Sequence, residues 1–173
     1  SYFKDLAADG WNVYSIAVNK TDSIQTVRRA IQQKDAQLGG LKSLIIIGHV
    51  PVPYSGNFAP DGHGDHAGVW PTDAYYAIDY NSWADAVTKV TGITRTENQN
   101  LPNDGKYDNT TLPGVVKYQT GRIDLSNMPK FSKSEIQLTK QYLKKDHDFR
   151  YKITKTVEKG IVDDNFSPTI GAF

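Results

Sequence analysis

The stretch Ser43-Leu44-Ile45-Ile46-Ile47-Gly48-His49-Val50-Pro51-Val52-Pro53 decides how the chain is read. Four consecutive branched apolar side chains closed by a glycine are too few for an amphipathic helix and far too few to span a bilayer. Such a run fits a strand covered on both faces, as in a parallel sheet packed between helices. Toward the N-terminus, Ile24, Val27, Ile31 and Leu38 recur at helical spacing, with Thr21, Asp22 or Ser23 as cap and Gly39-Gly40 as stop. Residues 11–18 alternate, with Val13, Ser15 and Ala17 on one side and Tyr14, Ile16 and Val18 on the other, which predicts a strand. Residues 2–8 predict the end of an amphipathic helix carrying Phe3 and Leu6, with Gly10 as its stop. Helix, strand, helix, buried strand is the order of an α/β fold with right-handed crossovers. The expected fold is α/β, an open, mostly parallel sheet flanked by helices.

Beyond Gly48 the periodicity gives way to turn residues until about residue 111, except at 74–78, where Tyr75-Tyr76 predicts a short strand. A connection this long is normally functional or braced. Residues 115–118 with Gly121-Arg122-Ile123 predict a further strand and its exit. Ser132-Lys133-Ser134-Glu135 predicts a capping box in which Ser132 and Glu135 satisfy each other's backbone. The helix it opens is expected to run to about Phe149, with Ile136, Tyr142, Leu143 and Phe149 as its apolar stripe. Residues 153–157 alternate as a final strand, and Val162-Asp163-Asp164 would place two carboxylates near its end. The chain closes at 167–173 without a finishing element and opens on a helix without a strand before it. The expectation is one partial domain over 1–173, incomplete at both ends, inside a larger protein.

Composition narrows the classes. Twenty basic side chains oppose nineteen acidic ones, a formal net charge of +1 that offers no electrostatic attraction to nucleic acid or to an anionic membrane. Neither binding to nucleic acid nor membrane insertion is expected. Cysteine is absent, so within this chain there is no disulfide, no thiolate metal site and no cysteine nucleophile. Ten tyrosines and three tryptophans fill core volume that the single methionine does not.

Ligands of open α/β sheets sit outside the carboxyl ends of the strands, which puts Gly48-His49-Val50-Pro51 at the favoured position. Beyond it, Asp61-Gly62-His63-Gly64-Asp65-His66 sets two imidazoles and two carboxylates within six residues. Asp61, His63, Asp65 and His66 suit zinc or a similar ion; the alternative is a polar loop that caps its own turns. Asn103-Asp104-Gly105-Lys106-Tyr107-Asp108-Asn109 offers oxygens from Asn103, Asp104 and Asp108 around a glycine, the pattern of a calcium turn without the bidentate glutamate of an EF-hand; a plain Asp-Gly turn is the alternative. Asp73 beside Tyr75 orients a substrate or loop amide, or caps a turn. Arg122 binds a carboxylate or clamps structure. His147 reads as a cation at the negative end of a helix dipole. Phosphate loops, GxSxG elbows and HExxH are missing.

Several of these pieces, in this order, resemble the gingipain-like cysteine peptidases, which share the caspase-type α/β fold. They are Ser43-Leu44-Ile45-Ile46-Ile47-Gly48 leading into Val50-Pro51-Val52-Pro53, then Thr72-Asp73-Ala74-Tyr75-Tyr76, then Gly121-Arg122-Ile123-Asp124 and a long helix. In that family a buried strand ends in Gly-Asp, a Ser-Asp-x-x-Tyr segment follows, and a strand ending in Gly-Arg leads into a long helix. The resemblance covers about residues 1–150, with 151–173 as the start of a second subdomain, and implies a three-layer caspase-like sandwich. His49 follows Ile47-Gly48 as the catalytic histidine of such peptidases follows its strand. But Val50 stands where that motif has glycine, and the Asp73 and Arg122 segments align His49 with the family's Gly-Asp aspartate, so His49 is not read as catalytic. The loop over residues 54–70 departs from the classical gingipains.

The resemblance implies half of an exported or cell-surface cysteine peptidase domain, acting on a peptide or protein substrate. The histidine and cysteine would lie beyond Phe173, and the chain would be inactive by itself. His49, Asp73, Tyr75 and Arg122 would then form the cleft rim, with calcium or zinc as candidate ions in the two loops. Two other classes stay open. One is a non-catalytic, metal-braced binding or scaffold module with Trp70, Tyr75, Tyr76 and Trp83 around its loop. The other is a metal-dependent hydrolase using His63 and His66.

Overall fold

The computed structural model describes residues 2–59, 61–78, 82–87, 89–91, 93, 95–155 and 157–160. The chain is mixed α/β and forms two compact units, residues 14–139 and residues 1–13 with 140–173. Among the described residues it has four α-helices, a parallel two-stranded sheet and a short antiparallel hairpin. None of these helices is long and apolar enough to cross a membrane.

In the larger unit, helix α2 (Ile24–Leu38) starts where Ser23 Oγ accepts from the Thr26 amide at 3.1 Å. It ends at Gly39, whose φ of 69° is the left-handed turn that glycine adopts without strain. Val27 and Ile31 point into the core. Strand β1 (Ser43–Ile47) pairs in parallel with β4 (Gln119–Ile123), with Ile46 level with Arg122 and Ile47 with Ile123. Between them, β2 (Tyr54–Ser55) and β3 (Trp70–Pro71) form the antiparallel hairpin, followed by the one-turn helix α3 (Ala74–Ala77). The core joins Val27, Ile31 and Ile46 to Tyr75, Tyr76, Tyr107 and Tyr118. Tyr75 stacks on Tyr107 at 5.1 Å, Trp83 packs edge-on to Tyr75 at 5.3 Å, and the Arg28 guanidinium lies 4.6 Å above the Tyr75 ring. This aromatic nucleus replaces the aliphatic core that the composition withholds.

In the smaller unit, α1 (Tyr2–Ala8) and the C-terminal part of α4 (Glu135–Arg150) are joined by polar contacts. The buried Asp5 sits 2.9 Å from His147 Nδ1, and Arg150 pairs with Asp9 and Asp146. His147 thus has a carboxylate partner in addition to its place near the helix end.

Several expectations need correction. Residues 11–18 carry no regular structure: no described strand offers them a ladder, although Ile16 and Val18 still pack against the core. Strand β1 is not covered on both faces, since Ile46 is buried while Ile45 and Ile47 are each 39% exposed. Within the segment 74–78, Ala74–Ala77 is helical rather than extended, and only Ile78 has extended backbone. A strand would turn one of two adjacent tyrosines outward, whereas a helical turn lets Tyr75 and Tyr76 both enter the core. Strand β4 starts at Gln119, and Val116 only bridges to Ile78.

The capping box sits two residues later than expected. Ser134 Oγ accepts from the Gln137 amide at 3.4 Å and Gln137 Oε1 accepts from the Ser134 amide at 2.9 Å. On α4 the stripe Ile136, Tyr142 and Phe149 faces solvent, and Leu138 is the buried residue. Residues 153–155 and 157 form no strand, and Val162-Asp163-Asp164 lies outside the described residues.

Candidate functional site

Residues level with each other in a parallel pair share a face, so Arg122 emerges on the buried side with Ile46. A guanidinium there needs partners, and it makes four hydrogen bonds besides lying 3.9 Å from Asp124 Oδ2. Arg122 Nε and Nη2 donate to the two oxygens of Asp73 at 2.8 and 2.7 Å, a bidentate pair. Nη1 donates to the Val50 carbonyl at 2.7 Å, and Nη2 reaches the Pro51 carbonyl at 3.4 Å. The Tyr76 hydroxyl donates to the same Pro51 carbonyl at 2.7 Å. Burial opposes the Arg122 charge, but pairing with Asp73 outweighs it and raises its pKa.

His49 joins the same strand ends through Asp124. Its Nδ1 lies 2.9 Å from Asp124 Oδ2 and 2.9 Å from Ser126 Oγ, while its backbone amide donates to Glu135 Oε1 at 3.0 Å. Burial pushes the Asp124 carboxyl up, yet hydrogen bonds from the Ser126 hydroxyl and amide and from His49 hold it below the ordinary range. Serine, histidine and aspartate meet here, but hydroxyl and carboxylate both address Nδ1. A nucleophilic triad needs them on opposite ring nitrogens. The arrangement braces the turn after β1 and does not activate Ser126.

Three of the four expected rim residues, His49, Asp73 and Arg122, therefore converge at the carboxyl ends of β1 and β4. Tyr75 does not. It is 2% exposed inside the aromatic nucleus and accepts from the Tyr107 hydroxyl at 3.0 Å, while its neighbour Tyr76 reaches the clamp. Sequence reasoning assigned none of Asp124, Ser126, Glu135 and Tyr76 to this cluster; it used Glu135 for a helix cap and Tyr76 for an aromatic loop. The usable signal for Asp124 was register: once β1 and β4 are paired, the residue after Ile123 falls beside Gly48.

The second cluster lies in the loop between β2 and β3. A 3₁₀ turn over Gly64–His66 folds it back, so that Asp61, His63 and His66 offer ligand atoms within 4.8 Å of one another. Asp61 Oδ2 lies 2.6 Å from His66 Nδ1 and 3.6 Å from His63 Nδ1. Asp65 Oδ2 stands 3.7 Å from the other ring nitrogen of His66. The Asp61 hydrogen bond raises the His66 pKa, and the same bond, with the His63 amide, lowers that of Asp61.

The loop carrying Asn103, Asp104 and Asp108 is arranged differently. Asp104 accepts from the Leu101 and Lys106 amides, and Asp85 from the Asn103 and Gly105 amides. Asp108 is buried and takes the Ala86 and Val87 amides and the Asn100 side chain. The two loop carboxylates are thus turned to separate sets of protein N–H donors. No family model matches the chain, and neither a curated protein nor a solved structure matches it.

Proposed function

We propose that the chain is the N-terminal half of a gingipain-like cysteine peptidase domain with the caspase-type three-layer fold, framing a substrate cleft rather than supplying the nucleophile. The clamp carries this reading. The three segments that resemble the family's, the turn after Gly48, Thr72-Asp73-x-x-Tyr76 and Gly121-Arg122, all converge on the Val50 and Pro51 carbonyls. The exposed Ile45 and Ile47 support it as well, because a parallel sheet ordinarily has both faces covered.

The chain has no cysteine and so no thiolate. In this reading a cysteine and a histidine from the following half carry out acyl transfer from a peptide bond, and the protein is exported or surface-bound. The test is the reading frame beyond Phe173, together with a thiol-directed peptidyl inhibitor applied to the protein that includes it. The expected result is an apolar strand ending in His-Gly, a later strand ending in cysteine, and covalent label on that cysteine. A continuation with neither element, or an unlabelled cysteine, overturns the reading.

A further inference from the structure

We propose that Asp61, His63 and His66 form a binding site for a zinc-class divalent cation, with Asp65 as the carboxylate that orients His66. The proposal does not rest on the peptidase reading, since this loop lies outside the segments that resemble that family.

A self-capping turn needs only one oxygen of Asp61, and Oδ1 already serves, accepting from the His63 amide at 3.2 Å. The other oxygen, Oδ2, faces both imidazoles, which turn-capping does not require. Ligand atoms around a tetrahedral zinc stand about 3.3 Å apart when the metal bonds are about 2.0 to 2.1 Å. The 3.6 Å between Asp61 and His63 is already close to that edge. The 2.6 Å hydrogen bond between Asp61 and His66 has to open by about 0.7 Å, within reach of a side-chain rotation. Two imidazoles and one carboxylate select a borderline metal over calcium, which wants six or more oxygens.

The scaffold under the ligands is fixed. The Trp70 indole donates to the His66 carbonyl at 3.0 Å, and the buried Val69 donates its amide to the Asn98 carbonyl at 3.0 Å. Next to it, Gly68 has φ +122°, and a side chain there would run into the Asn98 carbonyl, so only glycine lets the two strands of loop lie this close. Asp65, on the far nitrogen of His66, matches the carboxylate–histidine–metal pattern in which an outer carboxylate sets ring orientation. Three protein ligands on an exposed loop leave the fourth position to water or an external donor.

The test is calorimetric titration of the whole chain with zinc chloride, and separately with calcium chloride, near neutral pH. One equivalent of zinc and no calcium is the expected result. His63→Ala and His66→Ala should each weaken zinc binding by more than about 100-fold and Asp65→Asn by about 10-fold. His147→Ala should leave it unchanged. On the unaltered protein, zinc should shield His63 and His66, but not His49, from diethyl pyrocarbonate. Absence of one-to-one zinc uptake, calcium bound in its place, uptake that survives the double histidine replacement, or equal modification with and without zinc would each overturn the proposal.

Discussion

Replacing Arg122 by alanine removes the centre of the clamp, and the structure sets the size of the loss. The Arg122 and Asp73 side chains are 15% and 23% exposed, so the pair is largely but not completely out of water. Breaking a fully buried pair by deleting one partner costs about 3 to 5 kcal/mol, and this residual exposure places the cost below that range, at about 2 kcal/mol. The Val50 carbonyl also loses its guanidinium donor, worth about 1 kcal/mol, whereas the Pro51 carbonyl keeps the Tyr76 hydroxyl. The sum is about 3 kcal/mol, or a fall in Tm of about 6 to 12 °C for a chain of this size. Arg122→Lys keeps the charge but not the fork, and should lose about 1 to 2 kcal/mol.

Urea unfolding followed by tryptophan fluorescence reads the total, because Trp83 packs on the Tyr75 ring. Hydrogen exchange at the Thr72 amide, which donates to the Pro53 carbonyl at 2.8 Å, reads the clamp locally. A double-mutant cycle with Asp73→Ala should give a coupling of about 1 to 3 kcal/mol. A loss below about 1 kcal/mol for Arg122→Ala, or a coupling within about 0.5 kcal/mol of zero, would show that the pair decorates the strand ends without holding them.

Two further substitutions test the placement of other elements. Ser134→Ala should lower stability by about 1 kcal/mol and shorten α4 in circular dichroism, while Ser132→Ala should stay within about 0.5 kcal/mol of the parent. Equal effects would return the cap to Ser132. Asp35 accepts from Lys117 at 2.8 Å and from the Leu41 amide at 2.6 Å; the Lys117 bond holds its carboxyl below the ordinary range against the opposing effect of burial. A depressed carboxylate pKa adds stability above its unfolded value of about 3.9, lost as pH falls through the lower folded value. Asp35→Asn should therefore melt below the parent at pH 7, and the two should converge in acid. A difference in Tm that stays constant with pH contradicts this.

What could be read from the sequence follows the range of the contacts. Helix α2 was legible at both ends because Ser23 and Gly39 act on residues three or four positions away. The Asp61-His63-His66 cluster was legible for the same reason, as a single turn closes it. The partners of the strand ends were not. His49 meets Glu135 and Asp124 across 86 and 75 residues; the register of β1 with β4 brings Asp124 to it, and the start of α4 brings Glu135.

Periodicity also misjudged coverage. The isoleucine run implied two buried faces, yet only the Ile46 side is buried among the described residues. The alternation at residues 11–18 described side-chain placement without a ladder. At Tyr75-Tyr76, strand propensity lost to a helical turn that buries both rings, and this moved the polar role from Tyr75 to Tyr76. Glu135 was assigned to a cap. With Gln137 serving that cap, its carboxylate is left for the His49 amide.

The clamp and the loop carrying Asp61, His63 and His66 are neighbours in sequence but are anchored separately. Pro51, held by Arg122 and Tyr76, leads into β2, and Asp73, held by Arg122, leaves β3, so the guanidinium grips both feet of the hairpin. At the other end of the two-residue ladder, the Gly56 amide donates to the Tyr107 carbonyl and the Tyr107 amide to the Tyr54 carbonyl. The fully buried Asn100 donates to the Gly56 carbonyl at 3.1 Å and to Asp108 at 3.0 Å. These bonds, with the one from Val69 to Asn98, fix the root of the loop without using Arg122 or Asp73. Loosening the feet therefore removes support from the strand ends while the turn over Gly64–His66 keeps its own foundation. Asp108, which sequence places in a calcium-like turn, is here a buried acceptor between the two loops. Its two carboxylate oxygens take N–H groups from Ala86, Val87 and Asn100, which a cation at the same carboxylate would have to displace.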